Sequence, residues 1–178
     1  MRSSGRLVRM SVSAIVATAA SVSLSVPSAL ADSSRERFPL VEVVSAMNHK
    51  CLDVLGFNPD NGARVGVWDC WGGANQTWYW DGGQIRSFMN HKCLDVLGFN
   101  PDNGARVGMW DCWGGANQMW YRDGGQIRSS MNHKCLDLLR FNPHNGARVG
   151  MWDCRGGANQ LWRQFQVHAA EAAPGSIR

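Results

Sequence analysis

The chain has 178 residues, of which 44% are hydrophobic and 18% are charged, and a formal net charge of +4. Three of its basic residues (Arg2, Arg6 and Arg9) stand in the first nine positions without an acidic residue, and the chain carries +1 without them. Phosphate polyanions attract a nearly neutral protein weakly, so we expect no nucleic-acid partner.

The N-terminus has the pattern of an export signal. Its basic start is followed by a small, mostly apolar run over 10–26 and then by Ala29-Leu30-Ala31. This order is typical of a secretory signal peptide. A membrane anchor fits less well, because the run is rich in Ser and Ala and stops at a proline. We predict a signal peptide over 1–31 that is cleaved after Ala31, secretion without membrane insertion, and a linker over 32–40.

The rest of the chain is a three-fold repeat. Residues 47–88 and 89–130 have a period of 42 and differ at four positions, and a third copy begins at Met131 and departs from the pattern after Trp162. We predict one domain over 41–167, with repeats at about 41–83, 84–125 and 126–167, followed by a flexible tail over 168–178. A WD40 propeller has a similar period, but a propeller needs about four to eight blades.

Turn signals divide each repeat into four short strands. Asn-Pro, Asn-Gly and Gly-Gly pairs separate segments that are too short for helices. In the second repeat the predicted strands are 84–89, 92–96, 105–111 and 118–122, and the first repeat takes its first strand from 40–45. Alternation in the third strand places Val107 and Met109 on one face and Arg106 and Trp110 on the other. The sequence thus predicts an all-β domain of about twelve strands around a pseudo-three-fold axis.

The six cysteines follow the same period, and in an exported chain they indicate disulfides rather than metal or redox chemistry. Six cysteines allow 15 pairings. The three-fold symmetry favours pairs within repeats, which are Cys51 with Cys70, Cys93 with Cys112, and Cys135 with Cys154. A zinc site at His49 and Cys51 is the alternative, but it lacks the usual ligand spacing. We expect no metal and no cofactor.

The repeated motifs Cys-Leu-Asp, Asn-Gly-x-x-Val-x-x-Trp-Asp-Cys and Gly-Gly-Ala-Asn-Gln-x-Trp resemble the repeat of ricin B-type lectins and family 13 carbohydrate-binding modules. The resemblance extends from Val41 to about Val167. It implies a β-trefoil, in which three hairpins cap a six-stranded barrel. It also implies that the Gln-x-Trp tryptophans (Trp78, Trp120 and Trp162) lie in the core.

The resemblance further implies one carbohydrate site in each repeat. In that family an Asp and an Asn bond sugar hydroxyls, a Trp stacks on the C–H face of the ring, and a Gln supports the Asn. The matching residues are Asp53, Trp68, Asn75 and Gln76, then Asp95, Trp110, Asn117 and Gln118, then Asp137, Trp152, Asn159 and Gln160. The expected partner is a polysaccharide or cell-surface glycan, galactose-like or xylan-like, which a monomer binds through up to three sites.

Structural roles for the same residues stay open. Each site Asp could instead cap the turn that follows it by accepting backbone amides, and the stacking Trp could belong to the core. Under the site hypothesis, Asp95→Ala lowers avidity and leaves the melting temperature nearly unchanged. We interpret Asp69, Asp111 and Asp153 as structural residues that hold the Asn-Gln side chains, and His49, His91 and His133 as surface residues of the hairpins.

Two departures from the family concern the sites. Gly66, Gly108 and Gly150 stand where many members have a glutamine, so galactose specificity does not transfer directly. The third repeat has Arg140, His144 and Arg155 in place of a glycine, an aspartate and a tryptophan. We expect the third site to be weakened or altered in its preference.

No pattern in the sequence predicts catalysis. A nucleophile elbow, a zincin motif, a phosphate loop and an unlike pair of carboxylates are all missing, so we expect a non-enzymatic protein. A protein-binding β-trefoil, such as a hydrolase inhibitor or a toxin-associated subunit, is the alternative. An inhibitor usually presents one distinctive loop, whereas the loops at 57–61 and 99–103 are identical, which favours a repeated ligand.

Overall fold

The computed structural model describes residues 38–167, and the predicted signal peptide, the linker as far as residue 37 and the C-terminal tail lie outside them. The described part has twelve strands: β1 (Leu40–Ser45), β2 (Cys51–Val54), β3 (Val65–Trp68), β4 (Thr77–Asp81), β5 (Gln84–Ser87), β6 (Cys93–Val96), β7 (Val107–Trp110), β8 (Trp120–Asp123), β9 (Gln126–Ser129), β10 (Cys135–Leu138), β11 (Ala147–Trp152) and β12 (Trp162–Val167). No helix within residues 38–167 is long and apolar enough to span a membrane.

Each predicted strand of the second repeat is present but shorter than predicted, since β5 ends at Ser87 and β7 covers Val107–Trp110. The strand predicted over 118–122 begins at Trp120, because Ala116–Gln118 forms a short 3-10 turn instead. Two further turns of this kind occur at Ala74–Gln76 and Ala158–Gln160. The turn directs the Gln side chain inward, where it forms hydrogen bonds that an extended strand would not permit.

Strand pairing joins consecutive repeats and brings the last strand back to the first. The pairs β4–β5 and β8–β9 connect consecutive repeats, and β1 pairs with β12 from Leu40↔Val167 to Ser45↔Trp162. Three hairpins, β2–β3, β6–β7 and β10–β11, complete the pattern with one hairpin per repeat. This architecture is a β-trefoil, and it confirms the predicted fold.

The third strands of the three repeats meet around the pseudo-three-fold axis. Arg148 of β11 pairs with Gly66 of β3, and isolated bridges join Arg64 to Gly108 and Arg106 to Gly150. Each repeat therefore contacts the next one in cyclic order. The predicted alternation is also confirmed, because Val107 and Met109 are buried whereas Arg106 and Trp110 are exposed.

The core contains the aliphatic residues of all three repeats and the three Gln-x-Trp tryptophans. Trp78, Trp120 and Trp162 are 0%, 2% and 3% exposed, as the resemblance implies. Each indole N–H donates to the backbone carbonyl of the Leu in its own Cys-Leu-Asp strand, at 2.9–3.0 Å. A buried indole N–H needs such a partner. The bond fixes the strand that carries the candidate site aspartate against the core.

The six cysteines form the three pairs within repeats that the symmetry favours. On the chain-entropy model each bridge contributes roughly 3 kcal/mol to stability, because it closes a loop of about 20 residues. Among residues 38–167, Glu42, Cys51 and Cys70 are close enough together to hold a metal ion, but both sulfurs belong to a disulfide. The suggested zinc site at His49 is therefore wrong.

The loop after each 3-10 Leu-x-Phe turn is bonded to the following repeat. Asn61 Nδ2 donates to the Asp111 carboxylate at 2.7 Å, and Asn61 Oδ1 accepts from Lys92 Nζ and from the Asp111 amide at 2.9 Å. The equivalent bonds link Asn103 to the third repeat and Asn145 back to the first. The loops are thus identical for a structural reason, and their identity no longer favours a repeated ligand.

Candidate functional site

The structure brings the predicted Asp, Asn and Gln together in every repeat. The Asp is the third residue of the Cys-Leu-Asp strand, and the Asn and Gln occupy the 3-10 turn that lies beside that strand. In the second repeat, Asn117 Nδ2 donates to Asp95 Oδ1 at 2.9 Å, and Gln118 Nε2 donates to Asp95 Oδ2 at 2.8 Å. In the third, both amides donate to Asp137 Oδ2.

The glutamine positions the carboxylate. Gln118 is fully buried, and its Nε2 also donates to the backbone carbonyl of Asp111 at 2.9 Å. Its Oε1 accepts from the backbone amide of Trp113 at 2.9 Å. Since Gln118 is saturated by protein groups, it supports the site and does not reach a ligand.

The asparagine keeps a free acceptor in two repeats. Asn75 and Asn117 are 2% exposed, and among the described residues neither Oδ1 has a hydrogen-bond partner. A buried carbonyl oxygen without a partner costs about 1–3 kcal/mol, and a ligand hydroxyl would remove that penalty.

The carboxylates are held in low-dielectric surroundings. Burial raises the pKa of the three site aspartates, and the hydrogen bonds from the Gln and Asn amides oppose the rise; the residues are Asp53, Asp95 and Asp137. In the third repeat the charge of Arg155 also opposes it. Among residues 38–167 the hydrogen bonds to these carboxylates come from Gln and Asn side chains and not from backbone amides, so the carboxylate does not act as the suggested turn cap.

The predicted stacking tryptophans belong to the surface, not to the core. Trp68 and Trp110 are 45% and 42% exposed, and Trp152 is half-buried and lines one cleft with Asp137 and Asn159. Each ring also lies beside the Asn-Gly turn of a neighbouring repeat. A Cβ built on Gly62 would lie 4.0 Å from the Trp110 ring.

A second aromatic group, which the family motifs do not predict, flanks each site. Phe57 and Phe99 are about half exposed, and their rings pack 5.5 and 5.4 Å from those of Trp71 and Trp113. Both phenylalanines have a positive φ, at 54° and 53°, which is unusual for a bulky residue. Phe141 of the third repeat shares this conformation and lines its cleft. The signal was the invariance of Leu-x-Phe-Asn-Pro in all three repeats.

The glycines that replace the family's glutamine are required by the neighbouring repeat. A Cβ on Gly108 would lie 2.7 Å from the backbone oxygen of Ala63 and 2.8 Å from the Leu97 side chain. Gly66 and Gly150 have the same contacts with their neighbours. No side chain fits there unless the adjacent backbone moves.

The aspartates before the second cysteines are structural, as expected, but their carboxylates bond partners other than the Asn-Gln side chains. The Asp69 carboxylate pairs with Lys50 and accepts from Asn145 Nδ2 at 2.7 Å, and these bonds lower its pKa. Only its backbone carbonyl contacts Gln76. Asp69 and its copies therefore connect repeats rather than hold the Asn side chains. The histidines are surface residues as expected, and Nδ1 of His91 lies 3.0 Å from the hydroxyl of Tyr79.

Comparison with known proteins identifies the same β-trefoil fold. The model of the ricin-type beta-trefoil lectin domain matches residues 39–162. A designed three-fold symmetric protein, ThreeFoil, is 28% identical over 72% of this chain and 99% of its own, with a TM-score of 0.68. The C-terminal half of an earthworm R-type lectin, solved in complex with GalNAc, is 27% identical over 72% and 99%, with a TM-score of 0.63. An exo-beta-1,3-galactanase from Clostridium thermocellum is 28% identical over 72% of this chain and 30% of the enzyme, with a TM-score of 0.67.

Proposed function

The chain belongs to the ricin-type β-trefoil lectin family, and from that membership we propose that it is a secreted lectin that binds glycans through one site in each repeat. The observation that carries the proposal is the Asp-Asn-Gln group, which is built three times beside an exposed tryptophan. In each copy the carboxylate is buried and held by amides. A buried carboxylate has a desolvation cost that an apolar residue would not have, so three such charges support a binding role.

The geometry suits a sugar with two neighbouring hydroxyls. A carboxylate has about four acceptor positions, and the amides of Asn117 and Gln118 use two of those on Asp95. The others can accept the two hydroxyl protons, and the unpartnered Asn117 Oδ1 can accept a third. Bonds to a charged group are worth about 1.5–3 kcal/mol, which is more than neutral bonds provide.

The aromatic side chains provide the apolar part of the site. Trp110 is exposed enough to stack on the C–H face of a sugar ring, and Phe99 with Trp113 forms a second apolar wall. Sugar hydroxyls alone only exchange water for protein, so affinity depends on such surfaces.

Three sites on one body make the binding multivalent. A shallow site of this kind binds one sugar with a dissociation constant on the order of millimolar. Simultaneous contact with a repeated polysaccharide or a dense cell-surface glycan raises the apparent affinity by roughly 10² to 10⁴. The protein would then act as a monomer that captures or agglutinates glycans.

Secretion is part of the same proposal. Three disulfides fit an oxidising compartment, and residues 1–31 have the sequence pattern of a signal peptide. A protein outside the cell meets glycans at high density, which suits weak sites that act together.

We propose galactose-like or xylan-like glycans as ligands. The earthworm relative was solved with GalNAc and the Clostridium relative acts on galactan, which supports the galactose class. Gly66 and its copies stand where many family members have a glutamine side chain in this site, so we expect the sugar specificity of this protein to differ from theirs.

A glycan array of the disulfide-bonded protein tests the proposal. We expect binding to terminal or repeated galactose-type or xylose-type residues, with folding verified by circular dichroism. A folded protein that binds no saccharide on the array would reject it. A protein-binding trefoil, such as a hydrolase inhibitor, would then be the better hypothesis.

A further inference from the structure

The third repeat differs from the other two by charge. It has Arg140 where the others have a glycine, His144 where they have an aspartate, and Arg155 where they have a tryptophan. Each arginine adds one positive charge, and the histidine removes the negative charge of the aspartate that it replaces. Arg140 and Arg155 both line the cleft that contains Asp137, so they make that site more basic than its two equivalents.

Four arginines line the cleft of this repeat. The cleft has a volume of about 810 Å³ and contains Arg140, Arg148 and Arg155 of the third repeat together with Arg64 of the first. Among residues 38–167 none of the four forms a salt bridge. The acidic residue in the lining, Asp137, is 4% exposed and is occupied by two amides. Four arginines against one aspartate give the cleft lining a net positive charge, although the charge of Arg155 also acts on Asp137 and on Asp153 nearby.

Arg140 occupies a backbone position that favours glycine. Its φ is 62°, and the equivalent Gly56 and Gly98 have φ of 71° and 70°. A Cβ at either glycine would meet no atom within 4 Å, so the strain of Arg140 comes from the backbone alone. Strain of this kind is concentrated at functional sites. At this position the third repeat alone has an arginine in place of the glycine, and that arginine lines the cleft.

Arg155 also opens space beside the site. In the second repeat the indole of Trp113 lies over Gly115, and a Cβ there would be 2.1 Å from the ring. At the equivalent Gly157 the same Cβ would meet the Asn159 side chain, and the nearest aromatic atom, on Phe141, is 3.9 Å away. The third site thus has room for a ring substituent where the second has an indole.

We infer that the third repeat takes an acidic saccharide, with the ring at Asp137, Trp152 and Asn159 and the anionic group at Arg140 and Arg155. This inference rests on the proposed glycan-binding function. The chemistry is that of a carboxylate or sulfate on a sugar, and a guanidinium binds such groups through paired N–H donors. Repeats 1 and 2 take the neutral sugar.

Matched sugars test the inference. Isothermal titration compares galactose with galacturonic acid and glucose with glucuronic acid, since each pair differs at C6 alone, and galactose 6-sulfate separates sulfate from carboxylate. We expect one site per chain to prefer one of the acidic sugars by about tenfold, the change that one charge-assisted bond provides. The preference should weaken as salt is added, because screening reduces charge attraction.

Variants test whether Arg140 and Arg155 cause the preference for acidic sugars. Arg140→Gly with Arg155→Trp restores the residues of the other repeats and should abolish it. Gly98→Arg with Trp113→Arg should create a second acidic site, raising the count from one to two. Arg122→Gln with Arg163→Gln removes two exposed cations outside the cleft and should leave the preference intact.

Three results contradict the inference. Equal affinity for each acidic sugar and its neutral partner would overturn it while leaving the lectin proposal in place, and so would a preference that survives Arg140→Gly with Arg155→Trp. Binding of neither sugar class, in titration or on the array, would overturn both.

Discussion

Replacing Asp95 with alanine tests the buried carboxylate. Its oxygens accept Asn117 Nδ2 at 2.9 Å and Gln118 Nε2 at 2.8 Å, and both amides are at most 2% exposed. Each buried donor that loses its partner costs about 1–3 kcal/mol. The variant no longer has the desolvation cost of the buried carboxylate, the same cost that raises its pKa, and this offsets part of the loss. We therefore expect the free energy of unfolding to fall by about 2–3 kcal/mol. The structure thereby replaces the sequence-based expectation of a nearly unchanged melting temperature.

Thermal unfolding followed by circular dichroism, without reductant, measures the loss. For a domain of this size about 1 kcal/mol corresponds to roughly 4 °C, so the melting temperature should fall by roughly 10 °C. Sugar titration at a temperature where the variant is folded should show one site fewer per chain. Asp102→Ala, an exposed carboxylate in the same repeat, is the control and should change stability by less than about 0.5 kcal/mol. A melting temperature within a few degrees of the parent would refute the hydrogen-bond argument, and an unchanged site count would refute the assignment of Asp95 to the sugar.

Three further outcomes are expected. Burial raises the pKa of Asp95 and its copies, so in the folded state they protonate above the usual pH of about 3.9. Because their pKa is raised in the folded state, protonation of these carboxyls stabilises the folded protein, but it removes hydrogen-bond acceptors for the sugar. The affinity for sugar should therefore fall on mild acidification before the circular dichroism changes. Constant affinity through that range would contradict this. Gly108→Ala should destabilise by about 1–3 kcal/mol in urea unfolding, because its Cβ meets a backbone oxygen at 2.7 Å, and a neutral effect would show that the adjacent repeat can move. Arg140→Gly should stabilise by about 0.5–1 kcal/mol in the same assay by relieving the left-handed φ, and a loss of stability would mean that the arginine makes a favourable contact.

The sequence predicted the architecture because every repeat carries the same local signals. Turn pairs set the strand boundaries, and alternation in β7 identified the buried face of Val107 and Met109. The exception at Gln118 has a physical cause. Its side chain bonds the Asp95 carboxylate and two backbone groups, and those bonds outweigh the extended preference that the following residues suggest.

The composition of the candidate site could be predicted, but not its surroundings. Asp95, Asn117 and Gln118 are 22 or 23 residues apart and are brought together within one repeat, so a repeated motif identifies them. The bond between Asn61 and Asp111 spans 50 residues and depends on how repeats pack against each other. One repeat therefore cannot reveal it, so the sequence predicts a structural role for Asp111 but not the partner of its carboxylate.

The exposed phenylalanines show a second limit. Phe99 begins the repeated loop 99–103, but its positive φ and its packing on Trp113 depend on backbone geometry that residue types do not specify. Arg140 and Arg155 indicate from the sequence that the third repeat is more basic than the others. That Arg64 of the first repeat lines the same cleft is shown only by the structure.

A crystal structure of the protein with a saccharide selected on the glycan array tests the central claim most directly. We predict a sugar ring in at least two repeats, with hydroxyls within 3.2 Å of the Asp carboxylate and the Asn Oδ1, and with its C–H face on Trp68 or Trp110. An ordered sugar bound away from all three Asp-Asn-Gln groups would contradict the account.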